Sequence, residues 1–138
     1  MSDNRKISGL IPYKRRDGEI FVFLQKRAKD ARMLPDSFVF FGGGIEKGEN
    51  PEETMLREIR EELDFVPEGY KFLDSYKFEN HLEFHIFMLE VNDDFERNIK
   101  ILEGEYGKYF SEKEALGELK FTDEGKIMLR DLCKFLRA

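Results

Sequence analysis

The 138-residue sequence predicts an α+β sandwich on a central mixed β-sheet, on three observations. Short apolar runs of strand length alternate with turn residues through the first 41 positions. The period then becomes helical over residues 51–63, returns to strands over 73–90, and is helical again at the C-terminal end. That order is not a regular βαβ series, so a doubly wound parallel sheet is not expected.

The elements follow in order. Residues 1–6 are polar and expected to fray. Residues 7–13 form a first strand and 20–25, IFVFLQ, a second that is apolar enough to be buried on both faces. Asp17-Gly18 between them is a tight-turn signal, so the two strands pair as a hairpin. Residues 26–36 are a charged loop in which Pro35 blocks a helix, and 38–41 are a short strand running into three glycines.

The segment 51–63 is a helix with an N-terminal signature. Asn50 caps it, Pro51 takes the first helical position and Glu53 completes a capping box. Met55, Leu56, Ile59 and Leu63 make an apolar stripe for docking on the core. Glu58, Glu61 and Glu62, at i, i+3 and i+4, share a neighbouring face. Like charges at that spacing each cost about 0.2–0.5 kcal/mol, and a divalent cation would offset the repulsion directly.

Residues 73–78 and 83–90 are two further strands joined through Glu79-Asn80, and 92–98 an acidic loop. Short extended pieces are expected at 99–102 and 106–110. Ser111 and Glu114 form a second capping box for a short helix, and Thr122 caps a final helix from Asp123 to about residue 136. Its Ile127, Leu129, Leu132, Phe135 and Leu136 are expected to pack inward.

Composition narrows the function. The length suits one domain, residues 1–138, and the 14 phenylalanines without a tryptophan predict a phenylalanine-rich core. A formal net charge of −6 argues against general nucleic-acid binding, but not against a small anionic substrate met by metal ions. The single cysteine, Cys133, allows no internal disulfide and points to a reducing, cytoplasmic setting; no run is long enough for a membrane span or signal core. His81 and His85 have no partner at metal-ligand spacing and read as strand or loop residues.

From Gly43 the chain reads Gly, five residues, Glu49, seven residues, then Arg57-Glu58-Ile59-Arg60-Glu61-Glu62-Leu63-Asp64-Phe65. This resembles the Nudix box, Gly-x5-Glu-x7-Arg-Glu-U-x-Glu-Glu-x-Gly-U, where U is bulky and apolar. Six of its seven glycine or charged positions match, and the exception is Asp64 in place of the last glycine. Asp64 falls just past the helix, where a left-handed cap is expected, and Asp tolerates that conformation better than most residues. QKRAKDAR after the second strand and EGEYGKYFS at 103–111 resemble segments of the MutT-like type of that family.

The resemblance implies a Nudix fold, an α/β/α sandwich, and cleavage of a diphosphate bond in a small nucleotide substrate with Mg²⁺, or Mn²⁺, as cofactor. It implies metal ligation by Glu58, Glu61, Glu62, Glu103 and the Gly42 carbonyl. Oxygen ligands suit such hard ions. It further implies Glu58 as general base with Glu103 second, Glu61 beside it, and Arg57 orienting through Glu49. Arg27, Gly43 and Asp123 are the implied substrate contacts, although Asp123 is also a plain first-turn acid after Thr122. A nucleoside triphosphate, with oxidised dGTP the most specific candidate, is the leading substrate. Dinucleoside polyphosphates, nucleotide sugars and capped RNA ends remain open, as do a non-catalytic nucleotide sensor and either a monomer or a homodimer.

Overall fold

The computed structural model describes residues 5–138. Residues 1–4, part of the segment expected to fray, lie outside the described residues, whereas Arg5 and Lys6 already belong to the first strand. That strand, β1 (Arg5–Arg16), is the spine of a seven-stranded mixed sheet. It turns through Asp17 and Gly18, both at positive φ (52° and 80°), into β2 (Glu19–Lys26), and pairs with it antiparallel from Tyr13↔Val22 to Arg16↔Glu19. Two successive positive φ values give the primed turn whose twist matches a hairpin.

The expected strand over 38–41 is instead two. β3 (Phe38–Val39) pairs with the end of β2, and β4 (Phe41–Gly44) pairs with β1 from Leu10↔Phe41 to Ile7↔Gly44. The break falls at Phe40, and the glycines form a strand of their own. Gly42 requires its residue type: at φ 153° a Cβ there would stand 2.2 Å from the Ser8 carbonyl oxygen.

α1 (Pro51–Leu63) follows, with the capping box in place: the Glu53 N–H donates to Asn50 Oδ1 at 2.8 Å and the Asn50 N–H to Glu53 Oε1 at 2.9 Å. Asp64 adopts the left-handed cap (φ 49°, ψ 48°). β5 (Lys71–Lys77) and β6 (Leu82–Glu90) pair antiparallel with an irregularity between Phe72 and Asp74, and β6 runs parallel to β1 from Arg5↔Leu82 to Tyr13↔Glu90. Phe95–Asn98, expected as loop, is a 3-10 turn that buries Phe95. Residues 99–102 are not a strand. They are held to the end of α1, where the Lys100 N–H donates to the Leu63 carbonyl (2.9 Å) and the Leu102 N–H to that of Glu62 (2.8 Å). β7 (Tyr106–Ser111) then pairs with β2.

The chain closes with α2 (Glu112–Leu116) and α3 (Asp123–Arg137), capped by Ser111 and Thr122. On α3 the buried side is Gly125, Met128, Leu129, Leu132 and Cys133; Ile127 and Phe135, expected inward, are 43% and 55% exposed. At 100° per residue, positions 125, 128–129 and 132–133 share one face, 135 falls on its flank and 127 on the opposite side.

Two apolar clusters sandwich the sheet. On one face Met55, Ile59 and Leu63 of α1, all fully buried, meet Leu10, Phe23, Phe41 and Phe95. On the other, α2 and α3 close over Ile11, Val22, Leu24, Phe110 and Phe121. Each fully buried aliphatic side chain contributes roughly 1.5–3 kcal/mol relative to an exposed one, so α1 is locked to the sheet by its apolar stripe. The result is an α/β/α sandwich with a phenylalanine-rich core. Among the described residues, no helix is long and apolar enough to cross a membrane.

Candidate active site

The charged face of α1 lies against β4, and the loop between them is organised by Arg57. Its Nε and Nη2 donate to the two oxygens of Glu49 at 2.7 and 3.0 Å, a bidentate pair. Glu49 also accepts from Thr54 Oγ1 (2.8 Å) and the Glu46 N–H (3.1 Å). The Arg57 hydrogen bond holds the Glu49 carboxyl down at about 2. The guanidinium then turns back onto the helix, with Nη1 donating to Glu58 Oε1 (3.1 Å) and to Glu61 (3.4 Å), while Nη2 reaches the Gly44 carbonyl (3.3 Å).

Glu62 is the unusual group, with 1% exposure. It accepts from the Gly42 N–H at 3.2 Å and from Gln25 Nε2 at 3.4 Å. Among the described residues no cationic side chain hydrogen-bonds or salt-bridges it. Burial, then the neighbouring Glu58 and Glu103 charges, push its carboxyl up to about 9. Burial likewise raises Glu58, against the pull of Arg57. Gly43 backs directly onto that carboxylate: a Cβ there would be 2.4 Å from Glu58 Cδ.

Glu103 arrives from the far side of the chain. Gln25 Nε2 donates to its carbonyl (3.1 Å), the Glu105 N–H donates to the Lys26 carbonyl (2.8 Å), and Gly104 (φ 81°) passes where a Cβ would lie 2.7 Å from that same Lys26 oxygen. Lys26, 6% exposed, is paired with both Asp36 and Glu105. Glu58 and Glu62 are thus brought together; Glu61 (side chain 51% exposed) and Glu103 are exposed beside them. Among the described residues, no three acidic, His or Cys side chains converge closely enough to hold a metal ion as they stand. The donor set itself fits a hard divalent cation, being all oxygen and including a buried carboxylate without a cationic partner.

Alongside the glycine strand opens a cavity of about 290 Å³. Phe40, Phe84 and Phe121 line it; Phe40 and Phe121 meet edge to face at 5.6 Å, and Phe84 meets Phe78 in the same way at 5.8 Å. Arg5 and Arg27 stand in its wall with Met33 and Leu34, and Arg27 Nε donates to the Met33 carbonyl at 2.8 Å. Of the expected substrate contacts, Gly43 and Arg27 line this space; Asp123 is exposed in the first turn of α3, next to the lining Thr122.

Sequence reasoning missed Ser8 and Gln25. Ser8, fully buried, donates from Oγ to the Pro51 carbonyl at 2.6 Å and pins the start of α1 to β1. Gln25 ties Glu62 to the Glu103 segment. The available signal for Gln25 was a polar pair, Gln25-Lys26, ending an otherwise apolar strand. His85 contacts Ser75 (2.8 Å) and Glu83 (2.7 Å) within the sheet. Cys133 is buried, which pushes its thiol up to about 12 and leaves it inert.

A glycine strand, a capped helix bearing a buried and a half-buried carboxylate, and an adjoining cavity thus lie together on an α/β/α sandwich. The model of the NUDIX domain matches residues 4–132, and the chain belongs to that family. It is similar to the 8-oxo-dGTP diphosphatase of Escherichia coli K12, with 32% identity over 72 residues, 50% of this chain and 55% of that protein. It is also similar to the nucleoside triphosphatase NudI of E. coli, 50% identical over 40 residues, 29% of this chain and 28% of that one. The chain thus aligns with about half or less of the length of these relatives. Among solved structures, the NUDIX domain of Shewanella oneidensis NrtR, crystallised with ADP ribose, superposes with a TM-score of 0.77 at 14% identity, covering 99% of this chain and 90% of that one. At that identity the likeness is one of fold.

Proposed function

We propose that this protein is a Mg²⁺-dependent pyrophosphohydrolase, Mn²⁺ serving as substitute, that cleaves nucleoside triphosphates to the monophosphate and pyrophosphate. Oxidised dGTP is among the candidates. The observation that carries the reading is Glu62: a carboxylate 1% exposed, faced by Glu58 and met among the described residues only by neutral donors, one of them the N–H of Gly42, which lines a cavity with arginines in its wall. Such a group is costly to a resting protein and useful to one that binds a divalent ion. The names of the two E. coli relatives support a nucleoside triphosphate as substrate.

Glu58, Glu61, Glu62, Glu103 and the Gly42 carbonyl are the groups that would hold the ion. When bound, it supplies charge neutralisation for the phosphates and lowers the pKa of the attacking water. Glu58 takes the proton from that water. Arg57, anchored on Glu49, fixes the Glu58 carboxylate through Nη1 so that it is aimed before substrate arrives. Gly43 leaves the space that carboxylate occupies. Gln25 keeps the Glu103 segment against Glu62. Arg27 meets phosphate or base at the cavity wall; Asp123, expected as a further substrate contact, is exposed next to Thr122 and outside the lining of that wall. A cytoplasmic setting suits the nucleotide substrate and the free thiol of Cys133.

The test is a panel of nucleotides and nucleotide conjugates with Mg²⁺, run beside Glu62→Gln. Triphosphates should turn over in the wild type and not in the variant. Turnover of an ADP-sugar or dinucleoside polyphosphate far above every triphosphate would replace the substrate; no turnover above the variant would end the enzyme reading.

A further inference from the structure

The described wall of the cavity is poor in side chains that read a base edge. Its side chains capable of hydrogen bonding through N–H or O–H are Arg5, Arg27 and Thr122. Guanidinium groups are donors only. The Thr122 hydroxyl oxygen already accepts the Gly125 N–H at 3.0 Å as the cap of α3. Among the described residues no carboxylate or carboxamide side chain lines the space. Guanine, adenine and cytosine each present N–H donors that only an acceptor could read, and an 8-oxo purine adds another. Phe40, Phe84 and Phe121 offer instead aromatic surface, which grips any planar ring because every base has a π face.

We infer that the base is bound by stacking and by arginine donation to whichever ring acceptors it presents, and that this enzyme does not single out one nucleobase. The inference rests on the triphosphate reading above and deepens it: the substrate class is purine and pyrimidine nucleoside triphosphates alike, and oxidised dGTP carries no large advantage over dGTP. Apolar pockets discriminate between similar groups by roughly 10- to 200-fold, whereas sites built to hydrogen-bond a substrate edge reach about 10⁴- to 10⁵-fold. A site of the first kind is therefore expected to keep kcat/KM within about 100-fold across bases.

The experiment compares kcat/KM for dGTP, 8-oxo-dGTP, dATP, dCTP and dTTP with that for the base-free deoxyribose triphosphate. All five nucleotides should fall within about 100-fold, and the base-free compound at least about 10-fold below their mean. Phe84→Ala should raise KM for every base alike and leave the base-free compound unchanged, with Phe84→Tyr restoring the wild-type KM. A preference above about 10⁴-fold for one base, or a Phe84→Ala effect confined to one base, would overturn the inference while the triphosphate reading stands. If no triphosphate turns over, that reading fails, and calorimetry with α,β-imido triphosphates decides the slot separately. Dissociation constants within about 100-fold uphold it, and absent or single-base binding overturns it.

Discussion

Glu62 shows how a single residue can set function against stability. Its carboxyl titrates at about 9 rather than its ordinary 4.5 because it is buried beside Glu58. The folded chain therefore binds that proton more tightly than the unfolded one, so metal-free stability should fall as pH rises from about 4.5 to about 9. Glu62→Gln removes the slope. Its metal-free form should melt at least ~3 °C above the wild type at pH 8, while its hydrolytic rate drops on the order of 10³-fold. Added Mg²⁺ should raise the melting temperature of the wild type and not of the variant. Gly43 makes a second case: with a Cβ 2.4 Å from Glu58 Cδ, Gly43→Ala must displace the carboxylate we propose as general base. Its kcat should fall by roughly 10²-fold with the thermal midpoint moved far less, because misaiming by an ångström is enough. Gly43 and Glu58 were both singled out by one contiguous motif, but Gly43 as a substrate contact; its packing against the Glu58 carboxylate was not read from the sequence. Ser8 and Gln25 were not singled out, because each acts across the sheet on residues at least 37 positions away.

At the scale of the element, α1 carries its own instructions. The Asn50–Glu53 box, Pro51 and the apolar stripe fixed both its start and its docked face, and the bounds agree with expectation. Its C-terminal cap is strained, with Asp64 at φ 49°. Asp64→Gly should stabilise the protein by about 0.5–1 kcal/mol, read as a higher urea midpoint at unchanged slope, since among the described residues the Asp64 side chain has only a long, exposed contact with Lys100 (3.8 Å) to lose. The loops before β3 and before α1 depend on charge. Glu49, held at about 2 by Arg57, and Asp36, held at about 2 by Lys120 and Lys26, are both depressed in the folded state. Their contributions are complete above the ordinary carboxylate range and disappear as pH falls towards 2. Glu49→Gln should accordingly flatten the acid limb of a stability–pH curve. Elsewhere local pattern was insufficient. Residues 99–102 looked extended because they are apolar, yet their backbone partners are the last carbonyls of α1, a choice made by tertiary packing. On α3, hydrophobicity named Ile127 and Phe135, whereas helical phase selected Met128 and Cys133.

For the molecule as a whole, β1 pairs with β2, β4 and β6, so the glycine strand under the carboxylates and the cavity-lining strand β6 are set by one rigid element. α1 packs on one face, α3 on the other, and the cavity opens where β4, β6 and the start of α3 meet. The layered class was legible because strand and helix periods alternate in a non-βαβ order. The cavity was not, since Phe40, Phe84 and Phe121 come from three separate elements and single phenylalanines do not declare which core or cavity they face. We propose that the carboxylates of α1 carry out metal-dependent cleavage of a diphosphate bond. Phosphorus NMR of a deoxynucleoside triphosphate incubated with the wild type, Mg²⁺ and no other enzyme tests it most directly. Nucleoside monophosphate and pyrophosphate are expected, with neither product formed when Glu62→Gln replaces the wild type or Mg²⁺ is chelated. Nucleoside diphosphate with orthophosphate, or equal turnover by the variant, would contradict it.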